Sequence, residues 1–378
     1  MKTTGGEFDV IVIGAGIAGA SAAAELAADA RVLLLERESR PGYHTTGRSA
    51  AIFTPTYGPP VIRALTRASR GFFVAPDSEF VSHPLLNRRG VLFVAREDQA
   101  ESVAALRDEL KGAVKPLDGA TARGLLPLLR PGYAAQALLD PDAADIDVDA
   151  LHQHYLKTLR ARGGELRTGA QVLAMARDGR GWSVETGQGR LRAPVVVNAS
   201  GAWADEIALI AGVAPVGLTP MRRTALLVSP PDGVSPDAWP MVVDADEEFY
   251  LKPDAGKFLV SPADETPSAP CDAQPEELDV AICIDRIETA FDLAVRHVDH
   301  KWAGLRSFLP DRSPVAGFDP DAPGFFWLAG QGGYGIQSAP ALARTAAALV
   351  LGMPIPGDVR DEGVSEYALS RRRMEMAA

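Results

Sequence analysis

The sequence predicts an α/β protein whose first unit is a strand, a glycine turn, a helix and a second strand. The β-branched run VIVI directly precedes the glycine pattern GAGIAG, and an alanine-rich stretch typical of a helix follows it. The next apolar run, RVLLLE, ends on an acidic residue. This order, within about thirty residues, is typical of a Rossmann-like unit that binds a dinucleotide.

The three glycines and the acidic residue of this unit each have a physical role in dinucleotide binding. Gly14 permits the tight turn, Gly16 lets the backbone approach a pyrophosphate, and Gly19 lets the helix pack closely on the strand. The helix N-terminus offers unpaired N–H groups and a partial positive charge to the phosphates. Glu36, at the end of the second strand, is placed to accept hydrogen bonds from a ribose.

Two later segments return to the same type of structure. The buried run Val195–Val197 leads into Asn198 and Gly201, and the run GFFWLA leads into a second glycine turn, Gly330–Gly335, followed by a helix. A glycine turn at a helix N-terminus can hold the pyrimidine end of a flavin, which is negatively charged when reduced. We therefore predict FAD rather than NAD; the alternatives are an NAD enzyme and a turn that only connects two elements.

The net charge, the apolar runs and the cysteines of the sequence argue against several other classes of function. The 378 residues carry a formal net charge of −11, which argues against nucleic-acid binding and against charge-driven docking on anionic membranes. No apolar run approaches the roughly eighteen residues of a membrane span. Cys271 and Cys283 have no metal-binding spacing, so we predict no metal and treat both as packing residues. We expect a cytoplasmic location, with peripheral attachment to the inner membrane left open.

The local amino-acid composition of the chain predicts two interleaved domains. Residues 85–145 and 216–314 are richer in Pro, Asp and Arg and interrupt the nucleotide-binding pattern. We interpret them as one discontinuous α+β substrate-binding domain, with a mixed sheet that caps the cofactor. Residues 1–84, 146–215 and 315–378 would then form the Rossmann-like FAD-binding domain.

Several phrases resemble the D-amino-acid oxidase superfamily of FAD enzymes, most closely its bacterial D-arginine and D-amino-acid dehydrogenases: RPGYHTTGRSAA, ADIDVDALHQHYL, VVNASGAWA, FYLKPDAG, WAGLRSF and QGGYGIQ. The resemblance extends over nearly the whole chain and implies FAD. Because no cysteine stands where it would suggest covalent attachment of the flavin, we expect the FAD to be bound noncovalently. The cofactor-binding residues that the resemblance and the glycine patterns together predict are Gly14, Gly16, Ala18, Gly19, Glu36, Arg37, Thr45, Thr46, Gly47, Arg48, Ser49, Ala50, Ala51, Val172, Gly201, Gly332, Gly333, Tyr334, Gly335, Ile336 and Gln337.

The same resemblance implies a substrate site. Arg306 and Arg223 match the family's clamp for the α-carboxylate, a role that suits the planar guanidinium, although Arg222 could exchange roles with Arg223. Tyr250 would add a hydroxyl to the same carboxylate. Tyr57 matches a tyrosine on a mobile loop that closes over the substrate; a static loop tyrosine is the alternative.

Two positions depart from the arginine-specific pattern of the resembled dehydrogenases. Ile52 stands where they have a histidine, and Gly90 stands where they have a glutamate that holds the distal cation of the substrate. Because a buried guanidinium without a partner is costly, we predict that neutral or apolar D-amino acids are preferred over D-arginine. Gly333 and Gln337 are expected to lie near the substrate amine.

The reaction implied by the resemblance is oxidative deamination of a D-amino acid. A hydride passes from Cα to flavin N5, and the imino acid hydrolyses to a 2-oxo acid and ammonia. The electron acceptor is left open between a quinone, another carrier and O₂. The alternatives are an FAD-dependent oxidase for glycine or sarcosine and, from another class, a noncatalytic FAD-binding subunit of a dehydrogenase complex.

Overall fold

The computed structural model describes residues 8–76, 79–110 and 112–374. Its strands, in chain order, are β1 (Val10–Ile13), β2 (Val32–Leu35), β3 (Ile52–Phe53), β4 (Leu86–Arg88), β5 (Val91–Ala95), β6 (Lys115–Asp118), β7 (Gln136–Asp140), β8 (Ala144–Ile146), β9 (Glu165–Arg167), β10 (Val172–Asp178), β11 (Gly181–Thr186), β12 (Gly189–Ala193), β13 (Val195–Asn198), β14 (Thr219–Val228), β15 (Met241–Asp244), β16 (Tyr250–Asp254), β17 (Lys257–Ser261), β18 (Thr266–Pro267), β19 (His300–Phe308), β20 (Val315–Phe318) and β21 (Phe325–Ala329).

The α-helices are α1 (Ile17–Leu26), α2 (Pro60–Val74), α3 (Ala100–Glu109), α4 (Gly119–Leu125), α5 (Val148–Ala161), α6 (Ala204–Ile210), α7 (Glu277–Ala290), α8 (Gly335–Val350), α9 (Gly357–Asp361) and α10 (Glu366–Leu369). Short 3₁₀ turns occupy Thr46–Arg48, Glu97–Gln99, Gly201–Trp203 and Arg371–Met374. Among the described residues, none of these helices has the length and apolar character that a membrane crossing requires.

A six-stranded sheet in the order β20-β21-β13-β1-β2-β9 forms the first layer, and all its pairs are parallel except β20 with β21. Alternate residues of its central strands enter two different cores. Val12 and Leu34 pack with residues of α1, α5 and α8, whereas Ile11 and Leu33 pack with residues of α6 and the antiparallel sheet β10-β11-β12. This double-sided burial explains the unbroken apolar runs of these strands and confirms the predicted α/β class.

A nine-stranded mixed sheet forms the second large layer. Its main path is β18-β14-β17-β16-β15-β5-β7-β6, with β19 paired to β14, and β15 runs parallel to β5 among otherwise antiparallel neighbours. All its strands lie within 85–145 or 216–314. The exact domain boundaries stay a prediction, and residues 1–7, 77–78, 111 and 375–378 of the predicted domains lie outside the described part of the chain.

The pairing of β14 with β19 determines which arginines face the same side of this sheet. Met221 pairs with Arg306, and Arg223 lies two residues beyond Met221 on the same strand. Because side chains alternate between the faces of a strand, Arg223 and Arg306 share one face and Arg222 lies on the other. The sheet register therefore selects Arg223 over Arg222 as the neighbour of Arg306.

The two cysteines differ in environment. Cys283, on α7, is fully buried in the core beneath the nine-stranded sheet, as predicted for a packing residue. Cys271 is exposed, so the same prediction is wrong for it. It follows β18 in the loop that leads to α7.

We expect His154 to contribute to acid lability. It lies buried on α5 beside Phe72 and Tyr155, and this burial, with a smaller contribution from the charge of Arg162, lowers its pKa to about 4. The unfolded chain binds the proton near pH 6.5, so His154 should reduce the free energy of unfolding as the pH falls from about 6.5 to 4.

His154→Phe should therefore flatten the dependence of Tm on pH in that range, measured by calorimetry. His297→Gln is the matched control, because the His297 side chain is 81% exposed and should leave the profile unchanged. An unaltered slope in His154→Phe would contradict the assignment.

Candidate functional site

Two adjoining cavities lie between the six-stranded and nine-stranded sheets. The larger has a volume of about 250 Å³ and extends from the first glycine turn to the second. The smaller, of about 80 Å³, lies against the nine-stranded sheet. Their common lining consists of Ser49, Ala50, Arg223, Tyr250, Arg306, Gly333 and Ile336.

The structure places most of the predicted cofactor-binding residues on these cavities. Gly19, Gly47 and Tyr334 line neither cavity, and Ala51 and Gln337 line the small one. The others line the large cavity: Gly14, Gly16, Ala18, Glu36, Arg37, Thr45, Thr46, Arg48, Ser49, Ala50, Val172, Gly201, Gly332, Gly333, Gly335 and Ile336.

The glycines of the first turn serve two purposes. Gly14 has φ +99°, and a Cβ there would lie 2.5 Å from the carbonyl oxygen of Ala199. A Cβ on Gly19 would lie 1.8 Å from the carbonyl oxygen of Gly14. Gly16 differs, because its Cβ would approach only the Thr46 hydroxyl, at 3.2 Å. The fold itself needs Gly14 and Gly19, whereas Gly16 keeps the backbone open to the cavity.

Two side chains complete the N-terminus of α1. The Thr46 hydroxyl oxygen accepts a hydrogen bond of 3.0 Å from the Ile17 N–H. The Glu36 carboxylate accepts one of 2.9 Å from the Ala15 N–H and keeps lone pairs for a further donor such as a ribose hydroxyl. This end of the large cavity is therefore suited to the phosphates and ribose of a dinucleotide.

The segment from Thr45 to Ala51 is tied to the nine-stranded sheet. The Thr45 hydroxyl donates to the Leu305 carbonyl at 2.8 Å, and Arg48 Nη1 donates to the Ala273 and Ala303 carbonyls at 3.0 and 2.9 Å. These hydrogen bonds use protein acceptors, and a role of the two side chains in cofactor binding stays a prediction. Thr45, Arg48, Ser49 and Ala50 all line the large cavity.

The second glycine turn packs against β19. Gly332 has φ +55°, and a Cβ there would lie 2.1 Å from the Phe308 ring. A Cβ on Gly333 would lie 3.0 Å from Arg306 Nη1. The Tyr334 ring does not line the cavities but contacts Tyr57, with ring centroids 5.0 Å apart. Glycine at position 333 thus leaves space for the Arg306 guanidinium.

Two buried amide donors accompany this turn. Gln331 Nε2 and Gln337 Nε2 have no hydrogen-bond partner within the described residues. Gln331 belongs to the lining of the large cavity and Gln337 to that of the small one. A buried donor without a partner is costly, so these amides fit the carbonyl-rich edge of a ligand such as a flavin or an amino acid. Together with the open backbone at Gly16, they make the residues present compatible with FAD.

The two arginines of the predicted clamp meet where the cavities join. The half-buried Arg306 guanidinium makes no hydrogen bond or ion pair in the part of the chain that the structure describes. Arg223 Nη2 donates to Glu265 at 3.1 Å, and burial, together with the charge of Arg306, lowers the pKa of Arg223. Arg222, on the opposite face, pairs with Glu276. Arg306 is therefore a cation that lacks an anion.

Two tyrosines border the small cavity. Tyr250 is buried and lines both cavities, and Tyr57 lines the small one. Burial, and secondarily the carboxylate of Glu247, raises the pKa of Tyr57 above its usual value, so its hydroxyl stays protonated and can donate. Both tyrosines can add donors beside the arginines.

The loop that carries Tyr57 is anchored at its start. The Thr54 N–H donates to Gln337 Oε1 at 3.0 Å, and the Thr54 and Thr56 hydroxyls donate to the buried Asp140 carboxylate at 3.1 and 2.9 Å. The hydrogen bond from Thr54 also fixes the Gln337 amide, whose oxygen is the acceptor. The predicted closure of Tyr57 over a substrate stays a prediction, and it would have to begin after Thr56.

The wall of the small cavity is mainly apolar: Ile52, Val91, Phe93, Met241, Val243 and Phe249 line it. Gly90 lies outside both cavities, with φ +79° at the turn before β5. One carboxylate, Glu247, does line the small cavity. The lining of the small cavity therefore includes a carboxylate from a segment other than the one that carries Gly90.

Sequence reasoning missed several residues of the site, chiefly Glu247, Glu265, Gln331 and Asp140. The acidic run DADEEF before Tyr250 was the available signal for Glu247. Glu265 lies in the loop-like stretch SPADETPSAPCDAQPEE, which carries no motif. Neither residue is part of a sequence motif, because only the tertiary structure brings their segments to the site.

The comparisons with known proteins agree with this architecture. Residues 9–349 match the profile of the FAD dependent oxidoreductase (DAO) family. A glycine oxidase of Pseudomonas aeruginosa is 26% identical over 363 residues, with 91% of this chain and 94% of that protein covered. The crystal structure of glycine oxidase from Geobacillus kaustophilus superposes with a TM-score of 0.82 at 22% identity, covering 95% of this chain and 98% of that one.

A second solved structure, L-proline dehydrogenase from P. horikoshii, superposes with a TM-score of 0.79 at 20% identity over 99% of both chains. At this identity the two superpositions establish the fold alone. These relatives do not single out the D-arginine dehydrogenases. The family match extends over most of the chain, and the protein therefore belongs to the FAD dependent oxidoreductase (DAO) family.

Proposed function

We propose that the protein uses noncovalent FAD to oxidise the amine-bearing carbon of a D-amino acid, which yields a 2-oxo acid and ammonia after hydrolysis of the imino acid. The observation that carries this proposal is the Arg306 guanidinium beside Arg223 at the junction of the two cavities, which has no hydrogen bond or ion pair to any residue that the structure describes. Such a pair of guanidinium groups suits a single carboxylate that is taken out of water.

The large cavity is where the chain would hold FAD. Gly14, Gly16 and Glu36 would bind the pyrophosphate and ribose, and Gly332–Gly335 would bind the flavin end. When bound, FAD supplies an acceptor for the two electrons removed from the substrate. Cys271 and Cys283 both lie away from the cavity lining, which supports noncovalent binding.

The residues around the small cavity would orient the amino acid. Arg306 and Arg223 bind its carboxylate, and the hydroxyls of Tyr57 and Tyr250 donate to the same group. The unpartnered Gln337 Nε2 is a further donor within the cavity. Fixing the carboxylate at several points anchors Cα, and selection of one enantiomer also requires defined positions for the amine and the side chain.

The apolar wall supports a preference for neutral side chains. A side chain such as that of leucine would bury its methyl groups against Ile52, Val91 and Phe93. Glu247 could meet a distal cation, but this residue is exposed, and exposed ion pairs contribute about 1 kcal/mol or less. We therefore propose that D-leucine is a better substrate than D-arginine.

Glycine or sarcosine oxidation is the second candidate. The small volume of the cavity beside the arginines, about 80 Å³, favours it, and so do the relatives named glycine oxidase. The arginine pair would serve the same purpose, since these substrates carry the same carboxylate. The two candidates differ only in whether a side chain on Cα is used for binding.

Steady-state kinetics with an artificial electron acceptor separates these possibilities. We expect kcat/KM for D-leucine to exceed that for D-arginine by about tenfold or more, a typical discrimination by an apolar pocket. L-Leucine should be inactive, and ammonia and the 2-oxo acid should appear in equal amounts. The highest kcat/KM with glycine or sarcosine would favour the second candidate. A strong D-arginine preference would contradict the neutral preference.

A further inference from the structure

Glu265 joins two arginines beside the proposed substrate site. Its Oε1 accepts hydrogen bonds from Arg223 Nη2 at 3.1 Å and from Arg312 Nη2 at 2.8 Å, and its Oε2 accepts one from Arg312 Nη1 at 3.0 Å. The Arg312 guanidinium lies over the Phe308 ring, 4.0 Å from its centroid. Arg312 therefore binds both oxygens of the Glu265 carboxylate and shares Oε1 with Arg223.

The residue before Glu265 holds Arg223 from a second direction. The Asp264 carbonyl accepts a hydrogen bond of 2.8 Å from Arg223 Nε. The Asp264 carboxylate is itself bound by the N–H and the hydroxyl of Thr224, at 2.6 and 3.1 Å. Of the five guanidinium N–H groups of Arg223, two are thus used, and three remain for a ligand.

The charges favour this arrangement only while Glu265 is ionised. Burial alone would raise the pKa of Glu265, but the hydrogen bonds from Arg312 and the charges of Arg312 and Arg223 lower it below its usual value. Glu265 is therefore an anion at neutral pH. It accepts hydrogen bonds from both Arg223 and Arg312, and its charge also acts on Arg306, with which it makes no hydrogen bond or ion pair in the described part of the chain.

We propose that Glu265 is a positioning residue: it holds Arg223 in the orientation that binds the carboxylate of the substrate, and Arg312 holds Glu265 in turn. The inference rests on the proposed function, because it assumes that a carboxylate occupies the site. It assigns separate roles to the two arginines that line the junction. Arg306 supplies the unpaired charge, and Arg223 supplies N–H groups in a fixed direction.

The test is calorimetric titration of the FAD-loaded protein with 4-methyl-2-oxopentanoate, the 2-oxo acid of leucine, with its uncharged methyl ester as a blank. Glu265→Ala should weaken binding roughly tenfold, the usual size of one hydrogen bond to a charged group. Glu265→Gln, which retains an acceptor oxygen, should recover most of this loss. In an Arg223→Gln background, Glu265→Ala should change the affinity by less than about twofold.

Glu276→Ala is the matched control, because Glu276 pairs with Arg222 on the opposite face of the same strand. It should leave the affinity unchanged, and thermal melting should show that every variant is folded. Unchanged or tighter binding in Glu265→Ala would overturn the inference, and so would an equal loss in the Arg223→Gln background. Failure of the wild-type protein to bind the 2-oxo acid would instead contradict the proposed function.

Discussion

Gly16→Val is expected to weaken FAD binding by about 100-fold or more while the chain stays folded. The side chain would project into the large cavity, where the phosphates approach the backbone. The loss of two charge-assisted hydrogen bonds from N–H groups is enough for a change of this size. The fold should tolerate valine, because Gly16 has φ −70° and its Cβ would contact only the Thr46 hydroxyl.

Fluorescence titration of the apoprotein with FAD measures the effect, and thermal melting of the apoprotein tests folding. Gly71→Ala on α2 is the matched control, since a Cβ there meets nothing within 4 Å. It should preserve the FAD affinity and raise Tm slightly, because alanine favours a helix over glycine. If the FAD affinity of Gly16→Val stayed within about threefold of wild type, the pyrophosphate would have to bind elsewhere.

Arg306→Gln is expected to lower kcat/KM for the best amino acid by about 10² to 10³. Leaving a buried carboxylate without its partner costs about 3–5 kcal/mol, and part of that is recovered by water in the cavity. The loss should be seen mainly in KM, and the Kd of 4-methyl-2-oxopentanoate should rise by a similar factor, because both ligands present a carboxylate.

Arg222→Gln distinguishes this effect from a general loss of positive charge. Arg222 contacts Glu276 and Asp279 and faces away from the cavities, so its removal should lower Tm and leave the Kd of the 2-oxo acid unchanged. Equal loss of 2-oxo acid binding in the two variants would mean that long-range charge, rather than direct contact, attracts the carboxylate.

The nucleotide-binding layer could be predicted from the sequence because its signals are local. The VIVI run, the glycine turn and the alanine helix are adjacent along the chain, and their order dictates a parallel strand–helix–strand unit. The double-sided burial of β1 and β2 required unbroken apolar runs, which are easily identified.

The substrate end of the site was less predictable because it depends on sheet register. Arg222 and Arg223 are adjacent, and only the pairing of β14 with β19 decides which of them faces Arg306. Glu247 lines the small cavity and Glu265 contacts Arg223, and both belong to irregular segments that lack a periodic pattern. Gly90 shows the limit of inference from resemblance, since one missing glutamate does not exclude a carboxylate from another segment.

The most direct test of the account is an anaerobic absorption spectrum of the FAD-loaded protein, titrated with D-leucine. We expect the visible flavin absorption to be lost in proportion to added D-leucine, to be unchanged by L-leucine, and to return when an electron acceptor is admitted. The rate of recovery in air alone would then separate O₂ from a quinone or other carrier as the acceptor. No loss of absorption with D-leucine, D-arginine, glycine or sarcosine would contradict the claim that the paired arginines bind an amino acid for oxidation.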